Sequence, residues 1–361
     1  MFFLIPALTA FVITILITPV IIRIAEKYGL VDNPKLRPHP AHIQNRIIPR
    51  AGGLACFFGI ILPILIFLPL EKHLLGIILG MLLLLIIGIA DDKLKNLSPF
   101  SRLTVQIFAS LIVVASGVGI SYFTNPFGGI IRLDGIVYTL SFLGIHNIIL
   151  LADLVAVLWI VWTVNMVNWA NGVDGQTPGF MAVAFFILGF YSFGLSLNGD
   201  QNQYWIAVLA FISGGTALGF LPFNWHPARI FLGFSGTMIL GFMLAVLSIL
   251  SGAKLAVALL VLLLPAVDSI YTGVRRILSR KSPFYGDRNH LHHLLLKRGW
   301  THQQISLFYI TTCAILGMLA INLSSSGKLF AILGISTLII GSLLWLTFFG
   351  NSSEHSDPGN G

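Results

Sequence analysis

Long apolar segments, separated by short polar ones, follow each other along almost the whole chain. Eleven of them have about the 20 residues that a helix needs to cross the hydrocarbon core of a bilayer. The predicted spans are 2–22, 51–70, 73–90, 103–123, 147–165, 180–197, 204–221, 230–250, 254–275, 304–322 and 329–349. The pattern predicts an all-α, polytopic integral membrane protein with a single transmembrane domain over residues 1–349.

Two stretches depart from this pattern. Between the fourth and fifth spans, Gly128-Gly129 and Asp134-Gly135 punctuate short runs rich in β-branched residues, which predicts a small β-hairpin near 126–143. The last residues, 350–361, are rich in Ser, Asn and Gly and are expected to be a disordered tail.

The charges predict an orientation in the membrane. The chain is 56% hydrophobic and 9% charged, with a net charge of +8. Of its 21 Lys and Arg, 17 fall in the connections after the odd-numbered spans. By the positive-inside rule these connections are cytoplasmic and the N-terminus is outside. We therefore interpret the basic charge as a signal that orients the protein in the plasma (inner) membrane. Its predicted partners include membrane lipids, and no nucleic-acid partner is predicted.

The most polar motif, 165–179, follows the fifth span on this cytoplasmic side. Asn165, Asn168, Asn171 and Asp174 stand at the mouth of an apolar helix, where polar side chains are costly unless they bind something. Asn165 and Asn168 are three residues apart and share a helix face. The plainer interpretation is a polar helix end followed by a glycine turn.

Adjacent carboxylates follow the third span. Asp91 and Asp92 repel each other, so the pair persists most readily beside a cation or strong donors. Mg²⁺ suits such a pair because it takes one or two carboxylates and leaves positions for phosphate oxygens and water. The alternative is a simple helix end, although acidic residues there oppose the helix dipole.

The connection after the ninth span combines arginine and histidine, whose N–H groups bind phosphate. It contains Asp287-Arg288 followed by His290, His292 and His293, a spacing that suits zinc less well. Basic residues here could also serve only topology and lipid contact. Within that span, Asp268 is either a buried ion-pair partner or an active-site carboxylate.

These motifs and their order resemble the polyprenyl-phosphate N-acetylhexosamine-1-phosphate transferases of glycosyltransferase family 4, over about residues 30–300. The family pattern has Pro-Arg-x-Gly-Gly at 49–53, the aspartate pair at 91–92, Asn-x-x-Asn-x-x-Asp-Gly-x-Asp-Gly at 165–175 and Asp-Arg-x-His-Leu-His-His at 287–293. The last motif is closer to the N-acetylglucosamine-1-phosphate branch than to the pentapeptide branch.

The resemblance implies transfer of an N-acetylhexosamine 1-phosphate from a UDP-sugar to polyprenyl phosphate, with release of UMP, as the first membrane step of cell-envelope glycan synthesis. It leaves a homodimer open and implies Mg²⁺, with Mn²⁺ as an alternative. The implied catalytic residues are Asp91, Asp92 and Asp174, and the implied metal ligands are Asp91, Asp92, Asn165 and Asp174. The implied substrate-binding residues are Arg50, Asn165, Asn168, Asn171, Arg288, His290, His292 and His293.

Two positions depart from the family pattern. Asn171 stands where the family has an aspartate, and Phe234 replaces the aspartate of Gly-Asp-Ser/Thr-Gly, which helps to hold Mg²⁺ in the family. Two hypotheses follow: a transferase with a rearranged site, or a catalytically impaired homologue that binds polyprenyl phosphate or acts as a scaffold. A transporter is a third hypothesis, but the polar motifs gather at one membrane face and not at mid-bilayer.

Overall fold

The protein folds into helices joined by short connections and small hairpins. The computed structural model describes residues 3–33, 46–94, 97–140, 146–251, 255–282 and 289–348. The helices are α1 (Leu4–Lys27), α2 (Gly52–Phe67), α3 (Lys72–Leu94), α4 (Pro99–Ala115), α5 (Leu150–Trp169), α6 (Gln176–Leu197), α7 (Asn202–Asn224), α8 (Gly233–Leu250), α9 (Leu255–Val261), α10 (Leu263–Leu278), α11 (Leu291–Lys297), α12 (His302–Asn322) and α13 (Ser325–Phe348). The strands are β1 (Val31–Asp32), β2 (Ile48–Pro49), β3 (Tyr122–Thr124), β4 (Ile130–Arg132), β5 (Val137–Leu140) and β6 (His146–Ile149).

Each predicted apolar segment corresponds to a helix or, for the ninth, a pair of helices. Within the described residues, eight helices are long and apolar enough to cross a membrane, and the pair α9 and α10 passes the same test together. The apolar helices α2 and α4 are shorter. The all-α polytopic fold is therefore confirmed, while the number of eleven crossings stays a prediction.

The ninth segment is not the straight span that we expected. Its two helices, α9 and α10, meet at an angle of 82°. Pro265 explains the break, because it has no N–H to donate to the carbonyl of Val261 and its ring crowds that carbonyl. The helical hydrogen bonds begin again at Ala266, whose N–H donates to the carbonyl of Leu262.

Beyond the bend, α10 has a polar and an apolar face. Asp268, Thr272 and Arg276 are spaced four residues apart and are all buried. Ile270 and Val274, on the other side, are exposed. The helix thus directs a stripe of polar side chains into the protein and leaves an apolar face outside.

The predicted β-insert is present, but its strands pair differently. Strand β4 pairs with β3, and β5 pairs with β6, so two hairpins replace the single one near 126–143. The β3–β4 turn forms at Gly128 and Gly129, which both have positive φ. Asp134 is instead paired with Arg132 at 2.7 Å. The tail 350–361 lies outside the described residues.

Helix α8 forms the centre of the bundle, with almost every side chain buried. It packs against α2, α3 and α5, while α1 and α6 pack on α7. Close approach requires glycine, because a Cβ at Gly53 or Gly88 would come within 2.3–2.6 Å of atoms of Ser235. By contrast, α13 is on the outside and exposes large apolar side chains such as Phe330 and Phe348.

The connections after the odd-numbered predicted spans meet at one end of the bundle, here called the polar end. It comprises the connections α1–α2, α3–α4, α5–α6 and α7–α8 and the start of α11 and α12. Backbone bonds join the first connection to the fourth: Phe231 N–H donates to Pro49, and Gly52 N–H donates to Phe231. Side chains from these connections form the candidate site.

Candidate active site

Asp92, the last acid of α3, holds the first turn of α8. Its Oδ1 accepts the N–H of Phe234 at 2.8 Å and pairs with Arg50 Nε at 2.9 Å. Its Oδ2 accepts the N–H and the hydroxyl of Ser235, at 3.1 and 2.7 Å. These backbone donors have no partner within their own helix, and the helix dipole favours an anion at this place. The carboxylate is buried and all four of its acceptor positions are filled.

The neighbouring Asp91 has a different environment. Arg102, in the first turn of α4, donates Nε–H and Nη2–H to Asp91 Oδ1 at 3.0 and 2.7 Å. The same guanidinium lies 4.7 Å from the centre of the Phe234 ring, a cation–π arrangement. Within the part of the chain that the structure describes, no hydrogen bond reaches Asp91 Oδ2. Arg102 is thus held by a carboxylate and a ring and retains 27% side-chain exposure.

The two asparagines at the end of α5 share a face, as predicted, and both are bonded to neighbouring helices. Asn165 donates to Gln106 of α4 at 2.6 Å and to the carbonyl of Val161 at 2.8 Å. Asn168 accepts the hydroxyl of Thr237 of α8 at 2.9 Å. These bonds fix the mouth of α5 between α4 and α8.

Asp174 lies with two histidines from other parts of the chain. Its Oδ2 is 2.7 Å from His226 Nδ1 and 3.9 Å from His302 Nδ1, and it accepts the N–H of Ala228 at 3.1 Å. The carbonyl of Asp174 accepts the hydroxyl of Ser306 at 2.6 Å. The aspartate therefore joins the α5–α6 connection, the α7–α8 connection and the start of α12.

The buried stripe of α10 anchors the histidine motif. Asp268 Oδ2 accepts Nδ1–H of His290 at 2.8 Å, and Oδ1 accepts the N–H of Leu291 at 2.8 Å. Arg276 Nη2 is 3.3 Å from His290 Nε2, and Thr272 is near the same ring. Arg276 can only donate, so Nε2 accepts and His290 is the neutral Nδ1–H tautomer. Asp268 is thus an orienting carboxylate for His290.

His292 carries this motif to the α5–α6 connection. Its ring is stacked on His290 with centroids 5.6 Å apart, and it lies 4.3 Å from His293. The His292 ring lies directly over Gly172, where a Cβ would force the ring to move. Burial, followed by the neighbouring histidines, holds the pKa of His292 well below its usual value. Asn171, next to Gly172, is exposed.

The structure brings the predicted residues together in three groups rather than one. Asp91, Asp92, Asn165 and Asn168, with Arg50, surround the start of α8. Asp174 has its own partners, His226 and His302, and the third group is formed by His290, His292 and His293. Asp287 and Arg288 lie outside the described residues. Around the start of α8 the protein thus offers both anionic and cationic groups.

The predicted Mg²⁺ ligands are not assembled into one cluster. Asp92 has no acceptor position left, Asn165 is bonded to Gln106, and Asp174 lies with His226. Asp91 Oδ2 and Asp174 Oδ1 are the carboxylate oxygens of this set that accept no hydrogen bond from the described residues, and Asp174 lies beside two histidines. One carboxylate suffices for Mg²⁺ when substrate phosphates and water supply the other positions. Asp91 therefore fits this cation, and Asp92 acts as the cap of α8.

Several side chains of the site were not among the predicted residues: Arg102, Gln106, His226, Thr237 and His302. Arg102 and His302 lie just before the fourth and tenth predicted spans, at the end predicted to be cytoplasmic, where a charged or polar residue usually reports topology alone. His226 lies in the same polar motif as Phe234, a position at which this chain departs from the family pattern. Their partners come from distant parts of the sequence, so spacing could not reveal them.

Fold and site together define a multi-pass membrane protein with a phosphate-compatible polar site at one end. The sequence profile of glycosyl transferase family 4 matches residues 74–252. The decaprenyl-phosphate N-acetylglucosaminephosphotransferase of Mycolicibacterium smegmatis is 31% identical over 84% of this chain and 78% of the relative. The chain belongs to glycosyl transferase family 4. Members of this family are generally metal-dependent.

Two further relatives represent the range of the family. A probable undecaprenyl-phosphate N-acetylglucosaminyl 1-phosphate transferase of Bacillus subtilis is 29% identical over 92% of the chain and 88% of the relative. A phospho-N-acetylmuramoyl-pentapeptide-transferase of Thermoanaerobacter is 30% identical over 84% of the chain and 93% of the relative. The matches extend over most of both proteins, so the family assignment applies to the whole bundle.

Proposed function

We propose that the protein transfers N-acetylglucosamine 1-phosphate from UDP-N-acetylglucosamine to polyprenyl phosphate and releases UMP. The observation that carries this proposal is the match, over 84% of the chain or more, to relatives named as phosphotransferases acting on polyprenyl phosphate. The polar end supports it, because the family motifs at Arg50, Asp91–Asp92 and Asn165–Asn168 meet there around one helix N-terminus. The impaired homologue is not favoured by these relatives.

The reaction needs charge neutralisation and alignment more than covalent chemistry by the protein. A phosphate oxygen of the lipid attacks the phosphorus that carries the sugar. The bond from that phosphorus to the bridging oxygen breaks, and UMP leaves with the electron pair. The isoprenoid tail stays in the bilayer while its phosphate reaches the polar end, where these connections are gathered.

Fixed cations at the polar end suit this chemistry. Arg102 cannot swing freely, because Asp91 and the Phe234 ring hold its guanidinium on two sides. A preorganised charge stabilises a developing phosphoryl charge without reorganisation at the moment of reaction. We assign Arg102 to one of the phosphate groups and Arg50, which is paired with Asp92, to the stability of the same corner.

The remaining predicted residues receive roles by position. Asn168 and Asn171 border the loop that His292 touches, and we assign this loop to the nucleotide-sugar. His290, oriented by Asp268, offers a neutral ring, and Arg288 belongs to the same motif. Mg²⁺, with Mn²⁺ as the alternative, would be held at Asp91 and would neutralise phosphate charge.

We further propose that the polar end is cytoplasmic, in the plasma membrane. Ser98 and Lys281 are exposed at this end, and Asn198 is exposed at the opposite one. Single cysteines at Ser98 or Lys281 should react with an impermeant maleimide only after the membrane is opened, whereas Asn198→Cys should react in intact cells. The reverse pattern would contradict this orientation. A homodimer stays a prediction, which native mass spectrometry checks.

A transfer assay tests the proposed function. Purified protein in phospholipid vesicles receives polyprenyl phosphate and a panel of tritiated UDP-sugars, with and without Mg²⁺. We expect label to enter the lipid phase from UDP-N-acetylglucosamine and only in the presence of the cation. No transfer from any sugar, with a folded protein that still binds polyprenyl phosphate, would favour the binding or scaffold homologue. Flux of solute through the vesicles would instead support the transporter.

A further inference from the structure

Three distant segments converge on one carboxylate at the polar end. Asp174 precedes α6, His226 follows α7, and His302 begins α12. One ligand atom from each lies within 4.8 Å of the other two. His226 Nδ1 lies 2.7 Å from Asp174 Oδ2, whereas His302 Nδ1 accepts the backbone N–H of Asp174 at 3.4 Å and lies 3.9 Å from the same Oδ2.

The geometry is close to that of a bound metal ion. The two imidazole rings are tilted by 34° with centroids 4.4 Å apart, and one nitrogen of each lies near the Asp174 carboxylate. Ligands about 2.0–2.2 Å from a tetrahedral ion are separated from each other by about 3.4 Å. The two separations from the carboxylate oxygen, 2.7 and 3.9 Å, lie on either side of that value, and all three ligand atoms lie within 4.8 Å of one another.

We propose that Asp174, His226 and His302 bind a divalent transition-metal ion, with Zn²⁺ as the best-suited ion. Two imidazoles and one carboxylate suit zinc and its neighbours, whereas Mg²⁺ prefers oxygen ligands only. Three protein ligands leave a fourth position open, as in catalytic zinc sites. His226 keeps 42% side-chain exposure, so water or a phosphate oxygen can reach that position.

The surroundings of the site orient its ligands. The backbone N–H of Ala228 donates to Asp174 Oδ2, and Ser306 donates to the Asp174 carbonyl. The side-chain oxygen of Asn224 accepts the N–H of Gly175, the residue after Asp174, at 3.0 Å. His226 now donates Nδ1–H to the carboxylate. When Nδ1 binds the metal, this proton moves to Nε2 on the exposed ring.

This site is separate from the Mg²⁺ position proposed at Asp91, since different residues and a different ligand chemistry define it. It also stands independently of the proposed function, because its test measures metal binding and not transfer. A protein that binds the metal but transfers nothing supports this site and contradicts the enzyme. A protein that transfers but binds no metal here does the opposite.

Cobalt(II) is a suitable probe, because it replaces zinc and absorbs visible light when tetrahedral. Purified protein in detergent, freed of its affinity tag and of metal by a chelator, is titrated with Co²⁺ and then with Zn²⁺. The variants are His226→Gln and His302→Gln. The matched control is His73→Gln, an exposed histidine outside this cluster. Thermal unfolding without metal confirms that each variant is folded.

We expect one Co²⁺ per chain with a tetrahedral spectrum, displaced by Zn²⁺, in wild type and in His73→Gln. His226→Gln and His302→Gln should bind about 100-fold more weakly or worse. If a variant does not fold, the stoichiometry and the Zn²⁺-dependent rise in Tm of wild type still decide. Absence of tetrahedral Co²⁺ in wild type, or equal binding by all variants, would overturn the proposal and leave a hydrogen-bonded triad.

Discussion

The guanidinium of Arg102 lies 4.7 Å from the centre of the Phe234 ring, at the position where the family motif has an aspartate. The family's aspartate is thus replaced by an aromatic ring that contacts the Arg102 cation. The same guanidinium is bonded to Asp91, so this corner has one negative charge fewer than the family pattern and one fixed positive charge. The substitution changes the charge of the site, and the Phe234 ring occupies the position of the family's aspartate.

Phe234→Asp should therefore lower the Mg²⁺ concentration that gives half-maximal transfer, by about threefold or more. A new carboxylate adds negative charge beside Asp91 and competes with it for Arg102, and a charge at contact distance is worth more here than in water. Phe234→Leu is the control, because it removes the ring without adding charge. A Mg²⁺ titration of the transfer rate checks this. Equal half-maximal concentrations for wild type and Phe234→Asp would refute it.

The two adjacent acids should respond differently to amide substitution. Asp92→Asn leaves Arg50 without its charge partner and the first turn of α8 without full acceptors, so the free energy of unfolding should fall by about 3 kcal/mol. Asp91→Asn should keep most of the stability but reduce transfer by at least about tenfold. Thermal unfolding in detergent and the transfer rate separate the two effects. Equal losses of stability in both variants would show that Asp92 has no special capping role.

Asp268 and His290 should behave as one unit. Asp268→Asn weakens the acceptor that fixes the His290 tautomer, so it should reduce transfer by about tenfold or more. The double variant Asp268→Asn/His290→Gln should be no worse than the poorer single variant, because residues that act together are not additive. Asp268→Asn combined with Asp91→Asn, from another group, serves as the additive control. Fully additive losses in the first pair would separate the roles of the two residues.

His292 gives the stability a defined pH dependence. Its pKa in the folded protein is well below the usual 6.5, since burial and the adjacent histidines disfavour its charged form. Below about pH 6.5 the unfolded chain binds the proton that the folded state refuses, so stability falls as pH falls, by at most about 1.4 kcal/mol per pH unit. Above that pH this group contributes no change.

Unfolding temperatures from pH 5 to 8 test this. His292→Gln should flatten the decline below pH 6.5, and His73→Gln should retain it. An unchanged decline in His292→Gln would assign the effect to other groups.

The length of the apolar segments was enough to predict the helices, and the distribution of charge was enough to predict which connections meet at one end of the bundle. Apolar runs of bilayer length have few alternative structures, because backbone groups in lipid must bond within the helix. The bend at α9–α10 could have been anticipated from Pro265, but a proline inside an apolar run is also tolerated in membrane helices. The predicted strand pairing was wrong because Gly128-Gly129 and Asp134-Gly135 both suit a turn, and the sequence does not show which of them joins two paired strands.

The site was less predictable than the fold. Adjacent acids suggested a shared metal, yet Asp92 is occupied by α8 while Asp91 is bonded to Arg102. Such partners lie up to 143 residues apart in the chain, so no local spacing indicates them. The class of protein could be predicted from the sequence, and so could the meeting of these polar motifs at one end of the bundle. The distribution of roles among the acids required the packed structure.

The most direct test of the account follows the phosphorus atom. UDP-N-acetylglucosamine carries ³²P in the phosphate next to the sugar and tritium in the sugar, and the protein is supplied with polyprenyl phosphate and Mg²⁺. Transfer of a sugar 1-phosphate predicts that both labels enter the lipid phase in equal amounts, while unlabelled UMP appears in water. Tritium in the lipid with ³²P left in UDP would contradict it, as would the absence of both labels from the lipid.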